Sequence, residues 1–430
     1  MKKNQNQNQN HYPMIEWAKD LFPLNRSLTG EGTSKTLKYF KKIHNDFKIL
    51  KFKSGTKVFD WTIPDVWNVK NSYIYHLKTK KKFAEFRKNN LHIVGYSYPV
   101  NKIMDKKELL KYIFTQKNQP DATPYVTSYY KKRWGLCMSE NEKKKLPSGK
   151  YKVFIDSNLK KGHMEMAHLT LKGQSKKEIF FSSYVCHPSM ANNELSGPVV
   201  LNALVKYIKL KFPKRKYTYK FVLLPETIGS IAYLSRFKNQ LKKNVICGFN
   251  ITCVGDERGF SYVKTPDENS LADQAISASL FGKKNLKAYS FLYRGSDERQ
   301  YCSPGIDLPV CCFSKSKYYK EYHTSKDNFD VVTQKGLEDS LKVMTDIVDA
   351  FELGLHPRST TLCEPNLGKR NLYPTISHKD AYSEKVFLRK NFIAYSNGKR
   401  NIFEIANILK SNIKDLIYEY KILKKNKLLT

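Results

Sequence analysis

The chain has 430 residues, room for two or three domains. Apolar residues make up 40% and aromatics 13%, enough for a sizeable core, so a wholly disordered chain is excluded. The 76 Lys and Arg against 39 Asp and Glu leave a net charge of +37, a field that could draw nucleic acid, anionic glycan or a membrane surface. The lysines are spread along the whole chain and accompanied by abundant Asn, Ile, Tyr and Phe, the mixture expected from drift in an A/T-rich genome. Clusters such as Lys80 to Lys82 and Lys143 to Lys145 therefore read as solvated faces. No run reaches the roughly 18 apolar residues of a membrane span, and no membrane partner is expected. The N-terminus, Met1-Lys2-Lys3 followed by alternating Asn and Gln, has no apolar h-region. Eight cysteines form no CxxC pair, so a zinc ribbon is not supported, and a reducing, cytoplasmic location is expected.

Residues 1–12 read as a disordered tail. From Met14 to about Phe47 the pattern is helical, broken by a loop from Phe22 to Gly32, with Ser34 as the cap of the second helix. From Ile49 the texture turns to short β-like pieces bounded by Pro and Asn, such as Lys57 to Ile63, Trp67 to Val69 and Ser72 to His76. From Tyr151 strands alternate with helices: strands at Tyr151 to Asp156, Glu178 to Val185, Tyr217 to Leu224 and Val245 to Val254, and helices near Gly197 to Leu210, Ser230 to Asn239 and Glu338 to Leu353. That alternation predicts an α/β fold with a mainly parallel mixed sheet and helices on both faces. The domain reading is an α/β domain over 13–50 and 140–356, a β-rich insertion over 51–139, a linker marked by Pro357 and Pro365, and a helical trio over 370–430 that resembles a winged helix, with Ser411 capping its third helix.

In a wound sheet, ligands gather beyond the carboxyl ends of the strands. Four loops there carry polar clusters. Cys186-His187-Pro188 opens the segment that ends in Asn192-Asn193-Glu194-Leu195-Ser196-Gly197, whose Ser-Gly lets the next helix approach the strand closely. Glu226 follows an apolar strand, where burial would raise its pKa toward that of a general base; the alternative is a helix N-cap carboxylate. The third cluster is Gly295 to Gly305, with Asp297, Glu298 and Arg299. The fourth is Glu321-Tyr322-His323-Thr324.

Taken together, the order and spacing of these segments resemble the zinc-dependent aminopeptidase superfamily with the phosphorylase/hydrolase-like α/β fold. The wider chain is similar to the bacterial aminopeptidase-like branch that carries a β-rich insertion and a C-terminal winged helix. Supporting segments are Pro23-Leu24-Asn25-Arg26-Ser27-Leu28-Thr29-Gly30, Phe59 to Pro64, Asn90-Leu91-His92, Tyr129-Tyr130 with Trp134-Gly135, Glu226-Thr227-Ile228-Gly229-Ser230 and Ser296 to Cys302. The resemblance implies His187, Asn193 and His323 at metal positions, Glu226 as general base, and Asp297, Arg299 and Tyr322 lining the substrate pocket. It also implies departures: Asn193 stands where the superfamily has its metal-bridging Asp, and Thr227 and Thr252 stand at two further carboxylate positions. That charge deficit favours one zinc ion over two, with Asp256 as a spare ligand, or a site without metal. The implied function is hydrolysis of a peptide or amide bond in a peptide or aminoacyl-amide substrate. The alternatives are an inactive aminopeptidase-like binding protein and, ranked below it, a nucleic-acid-binding regulator. Against the last, Leu416, Ile417, Tyr420 and Leu423 give the third helix of the trio an apolar packing face. A homo-oligomer is left open.

Overall fold

The computed structural model describes residues 12–129, 131–374 and 384–430. The expected tail over 1–12 thus lies outside the described residues except for Tyr12, and Tyr130 and residues 375–383 of the expected trio lie outside them too. In chain order the principal elements are α1 (Met14–Leu21), α2 (Glu31–Ile43), β1 (Lys48–Lys53), β2 (Val66–His76), β3 (Lys82–Phe83), β4 (Val100–Asp105), β5 (Lys150–Lys160), β6 (His163–Leu171) and β7 (Glu178–Tyr184). They continue as α3 (Ser196–Lys211), β8 (Thr218–Leu224), α4 (Ile228–Asn244), β9 (Val245–Ile251), β10 (Phe260–Val263), α5 (Leu271–Leu280), β11 (Leu286–Tyr289), β12 (Val310–Ser314) and α6 (Gln334–Leu353). Three helices close the chain: α7 (Glu384–Tyr395), α8 (Ile402–Ile408) and α9 (Ile413–Lys425).

Eight strands form the main sheet in the order β1-β6-β8-β7-β9-β12-β10-β11. Its centre, β8-β7-β9-β12, is parallel, and antiparallel pairs flank it. Side chains alternate across this sheet as strand geometry requires. Phe181, Phe221 and Phe249 point to one core with the residues of α1, α3, α5 and α6. Phe180, Val222 and Val310 point to the other, shared with α4 and the insertion. The sheet therefore separates two apolar layers, with helices on both faces.

The insertion is a four-stranded antiparallel sheet, β3-β2-β5-β4. Here the sequence reading is corrected. The strand from Tyr151 pairs with β2 along its length and not with the α/β sheet. Its alternating pattern suits either sheet, and only the long-range partner decides. The boundary at residue 51 falls inside β1, which pairs with β6 in the main sheet. Ser34 lies inside α2 rather than capping it, since the helix starts at Glu31 after Gly30. Asn412, not Ser411, caps α9 by accepting from Lys414 N–H.

The C-terminal trio packs on the α/β body and shares its core through Phe403, Leu416 and Tyr420. Short bridges, Arg358 with Asn397 and Ser359 with Leu429, complete the winged-helix unit. No helix among the described residues is long and apolar enough to cross a membrane.

Candidate functional site

The parallel strands β7, β8, β9 and β12 all end at one rim, and their following loops meet there. After β7 comes His187, then a wide π-type turn, Ala191–Leu195, leading into α3. Gly197 makes that approach possible: a Cβ there would lie 2.2 Å from the Ile251 carbonyl oxygen and 2.3 Å from Ser183 Oγ. The rim is strained. Ser189, Thr227, Cys253 and His323 have φ of 44°, 64°, 54° and 57°, values that side-chain-bearing residues seldom adopt. At Thr227 the backbone forms a tight γ-turn closed by Ile228 N–H to the Glu226 carbonyl at 2.8 Å. Such a turn costs about 1–3 kcal/mol and persists only where neighbours hold it. Here Thr227 N–H donates to Asp297 Oδ1 at 2.8 Å.

His187 is buried, and its Nδ1 meets Glu194 Oε2 at 2.7 Å. Glu194 is fully buried, with Arg26 Nε 3.7 Å from its other oxygen. Arg26 also donates to the His187 carbonyl at 3.0 Å. Burial pushes the Glu194 carboxyl up and Arg26 opposes it; burial lowers Arg26 to about 10. We take the pair as ionised, because otherwise Arg26 would be a buried cation without a countercharge. His187 itself is pushed down to about 3, first by burial and then by Arg26, so it is a neutral imidazole. With Nδ1 donating to Glu194, its Nε2 lone pair faces Glu226, whose Oε2 lies 3.8 Å away.

Glu226 does not cap α4. Its Oε1 accepts from Ser296 Oγ at 2.8 Å, and its backbone N–H meets Cys186 Sγ. Burial, then the neighbouring Asp297, pushes its pKa up to about 8. Asp297 is fully buried and accepts from Ser230 Oγ at 2.7 Å as well as from Thr227, so it braces the Glu226 loop. Arg299 donates from its guanidinium to Thr227 Oγ1. Tyr322 is the exposed member of the group and stacks on His323, ring centres 3.9 Å apart.

Across the crevice the chemistry is neutral. Asn193 Nδ2 donates to Tyr184 Oη at 2.9 Å, and that hydroxyl also meets Thr252 Oγ1. Asn193 Oδ1 and His323 Nε2 are both buried and have no hydrogen-bond partner. The His187 and His323 rings lie 5.3 Å apart, with Tyr125 of the insertion edge-on to both. His323 is pushed down to about 3 by burial and by His187. Asp256, the spare ligand of the sequence reading, is committed to Asn192 Nδ2, Arg258 N–H and Ser316 Oγ.

The structure thus brings His187, His323, Glu226 and Asn193 to one crevice, with Tyr322 at its edge and Asp297 and Arg299 behind it. Sequence reading missed Glu194, Arg26 and Tyr125. Glu194, seven residues beyond His187 on the same loop, was within reach of a search for a carboxylate to orient that imidazole. Arg26 and Tyr125 arrive from distant segments and carry no local signal.

Cys186, His187 and Glu194 offer ligand atoms within 4.8 Å of one another. Arg26 already supplies positive charge there, and burial holds the Cys186 thiol well above its ordinary pKa, so this cluster supports His187 and is not a cation site of its own. The residues fit one zinc ion better than two. The free imidazole nitrogens of His187 and His323 match a common zinc donor type, Glu226 stands beside them as a proton acceptor, and Asn193 Oδ1 and His323 Nε2 are among the buried atoms with no hydrogen-bond partner. A second ion would lack the anionic charge needed against the first, since Asn193, Thr227 and Thr252 are all neutral.

A mixed sheet with a parallel centre, this rim and flanking helices is the fold of the zinc aminopeptidase-like α/β proteins. The chain belongs to the family described as "Domain of unknown function (DUF4910)", which matches residues 15–354, and its C-terminal part matches a winged helix-turn-helix family over residues 356–430. A relative from Clostridium acetobutylicum is 40% identical over 403 residues, covering 92% of this chain and 90% of its own, and is named as a polysaccharide biosynthesis protein with an aminopeptidase-like domain. A crystal structure from the same organism, described as that of a peptidase, matches with a TM-score of 0.89 at 35% identity, covering 99% of this chain and 97% of the other. BSAP, a zinc aminopeptidase from Bacillus subtilis, matches with a TM-score of 0.56 at 13% identity over 78% of this chain and 93% of its own, a likeness of fold alone.

Proposed function

We propose that the chain hydrolyses a peptide or amide bond with one zinc ion, held by His187 and His323, and with Glu226 taking the proton. The observation that carries this reading is the meeting of two neutral imidazoles, ring centres 5.3 Å apart, with a buried carboxylate 3.8 Å from His187 Nε2. When bound, zinc would lower the pKa of water towards about 7 and polarise the scissile carbonyl. The rest falls to the chain. Glu194 fixes the His187 tautomer. Ser296 holds one Glu226 oxygen and leaves the other turned to His187. Burial raises the basicity of Glu226 into the range a proton acceptor needs. Tyr125 and Tyr184 wall the crevice against water. Asn193 Oδ1 offers a neutral contact in place of a carboxylate. The name of the Clostridium relative supports an aminoacyl-amide on a glycan precursor as substrate, and the free thiols, all buried but Cys363, support a cytoplasmic location.

The test is hydrolysis of a panel of aminoacyl amides by zinc-loaded protein and by Glu226→Gln. Loss of a general base costs about 10²–10⁴-fold in rate, and circular dichroism of the variant should be unchanged. Equal rates for the two proteins would remove Glu226 from the chemistry. The neutral Asn193, Thr227 and Thr252 favour a second reading, a binding protein without turnover; wild-type protein that binds zinc and aminoacyl amide yet never cleaves it would establish that reading.

A further inference from the structure

Beside the crevice lies a cleft of about 630 Å³ that the proposed chemistry does not use, within the size range of small-molecule sites. It opens along the β10-β11 edge of the main sheet and the loop after β12. Five cations line it: Arg258, Lys287, Lys315, Lys317 and Lys320. The carboxylates near them are mostly committed. Glu321 is held in a two-pronged pair by Arg258, with Lys320 3.9 Å from one of its oxygens. Asp256 is taken by Arg258 N–H and Ser316. Asp339 is shared between Lys335 at 2.9 Å and Lys315 at 3.6 Å.

Lys315 is the unusual member. A lysine is seldom buried without a close countercharge, yet Lys315 is 2% exposed, its carboxylate partner stands beyond hydrogen-bond length, and its ammonium sits over the Phe260 ring at 3.8 Å. Among the described residues, Lys287 and Lys317 have no carboxylate within ion-pair reach. Tyr289 and Tyr318, ring centres 5.6 Å apart, add aromatic faces at the mouth. Cations with aromatic walls suit an anionic group carried on a ring.

The cleft also touches the crevice on two sides. The Lys317 ammonium lies 3.4 Å from where a Cβ on Gly295 would stand. The next residue, Ser296, bonds Glu226. On the other side Tyr319 lines the cleft and packs on Tyr322, which stacks on His323.

We propose that this cleft binds a phosphate ester carried next to a ring, and that it holds that end of the substrate whose amide lies over Glu226. The first clause stands on the cleft alone; the second rests on the hydrolase reading. The test is calorimetric titration with phenyl phosphate and with inorganic phosphate at low ionic strength. Phenyl phosphate should bind saturably and more tightly than inorganic phosphate. The double variant Lys287→Ala/Lys317→Ala should weaken it at least about tenfold, the effect of losing two charge-assisted contacts. Lys78→Ala/Lys81→Ala, exposed lysines between β2 and β3, should leave it unchanged. Equal weakening by both pairs would show only the general positive field and overturn the proposal, as would no saturable binding to wild type. Arms with glucose 1-phosphate and uridine diphosphate separate a sugar phosphate from a nucleotide. Binding and amide hydrolysis are measured separately, so the two readings fail independently. Binding without any amidase activity would leave the cleft standing and remove the hydrolase; cleavage of amides without phosphate binding would do the reverse.

Discussion

On the His187 side of the crevice, charge is buried and paired through Arg26, Glu194 and the imidazole; on the Asn193 side, an amide, two hydroxyls and a bare imidazole make a neutral wall. The first side is preorganised without a cation, because each charge there has its opposite in place. Both sides keep buried polar atoms without a hydrogen-bond partner, Arg26 Nη2 and Glu194 Oε1 on the first and Asn193 Oδ1 and His323 Nε2 on the second, but those on the second have no opposite charge beside them.

The sharpest way to break this contrast is to remove Arg26. Arg26→Met leaves Glu194 a buried carboxylate without its partner and should cost about 3–5 kcal/mol, read as a lower urea midpoint; Arg26→Met/Glu194→Gln should recover part of the loss. Equal damage from the single and double variants would mean that packing, not charge, governs that side. Gly197 pins the two halves together between β7 and β9. Gly197→Ala forces a Cβ against the Ile251 carbonyl and should cost about 1–3 kcal/mol by overpacking; a thermal midpoint matching wild type would show that α3 can back away. Asn193→Asp buries a carboxyl without a countercharge and should cost about 1–3 kcal/mol without metal, and it sharpens the contrast most. It makes the neutral wall anionic, so zinc per chain measured by elemental analysis should rise. An unchanged zinc content would show that the neutrality of Asn193 does not limit metal binding.

Sequence legibility followed the same division. His187 and Glu226 could be read because each follows an apolar strand at its carboxyl end, where the fold gathers ligands; His323, nine residues beyond β12, is legible only through the family resemblance. Glu194 was legible in principle, being on the same loop as its imidazole. Arg26 was not, since it reaches its partners across 161 residues from the α1–α2 loop. Nor was Tyr125, whose ring meets both imidazoles only because the insertion folds back over the rim. The strand β5 shows the limit of patterning. Alternation identifies a strand, while the choice between two sheets depends on a partner some 80 residues earlier in the chain.

The C-terminal trio is fastened to α5 by side chains acting on helix groups. Asn401 and Asn407 bond Gln274, and Asn412 Nδ2 donates to the Ser279 and Phe281 carbonyls where α5 runs out of internal partners. Tyr420 closes over Gly354, where a Cβ would meet its hydroxyl at 2.6 Å. The seam between two family descriptions, near residue 355, is therefore no seam in the packing. A chain cut there would carry a raw hydrophobic flank and an unfinished helix end, so the winged helix serves the α/β body as its outer wall before it serves anything else.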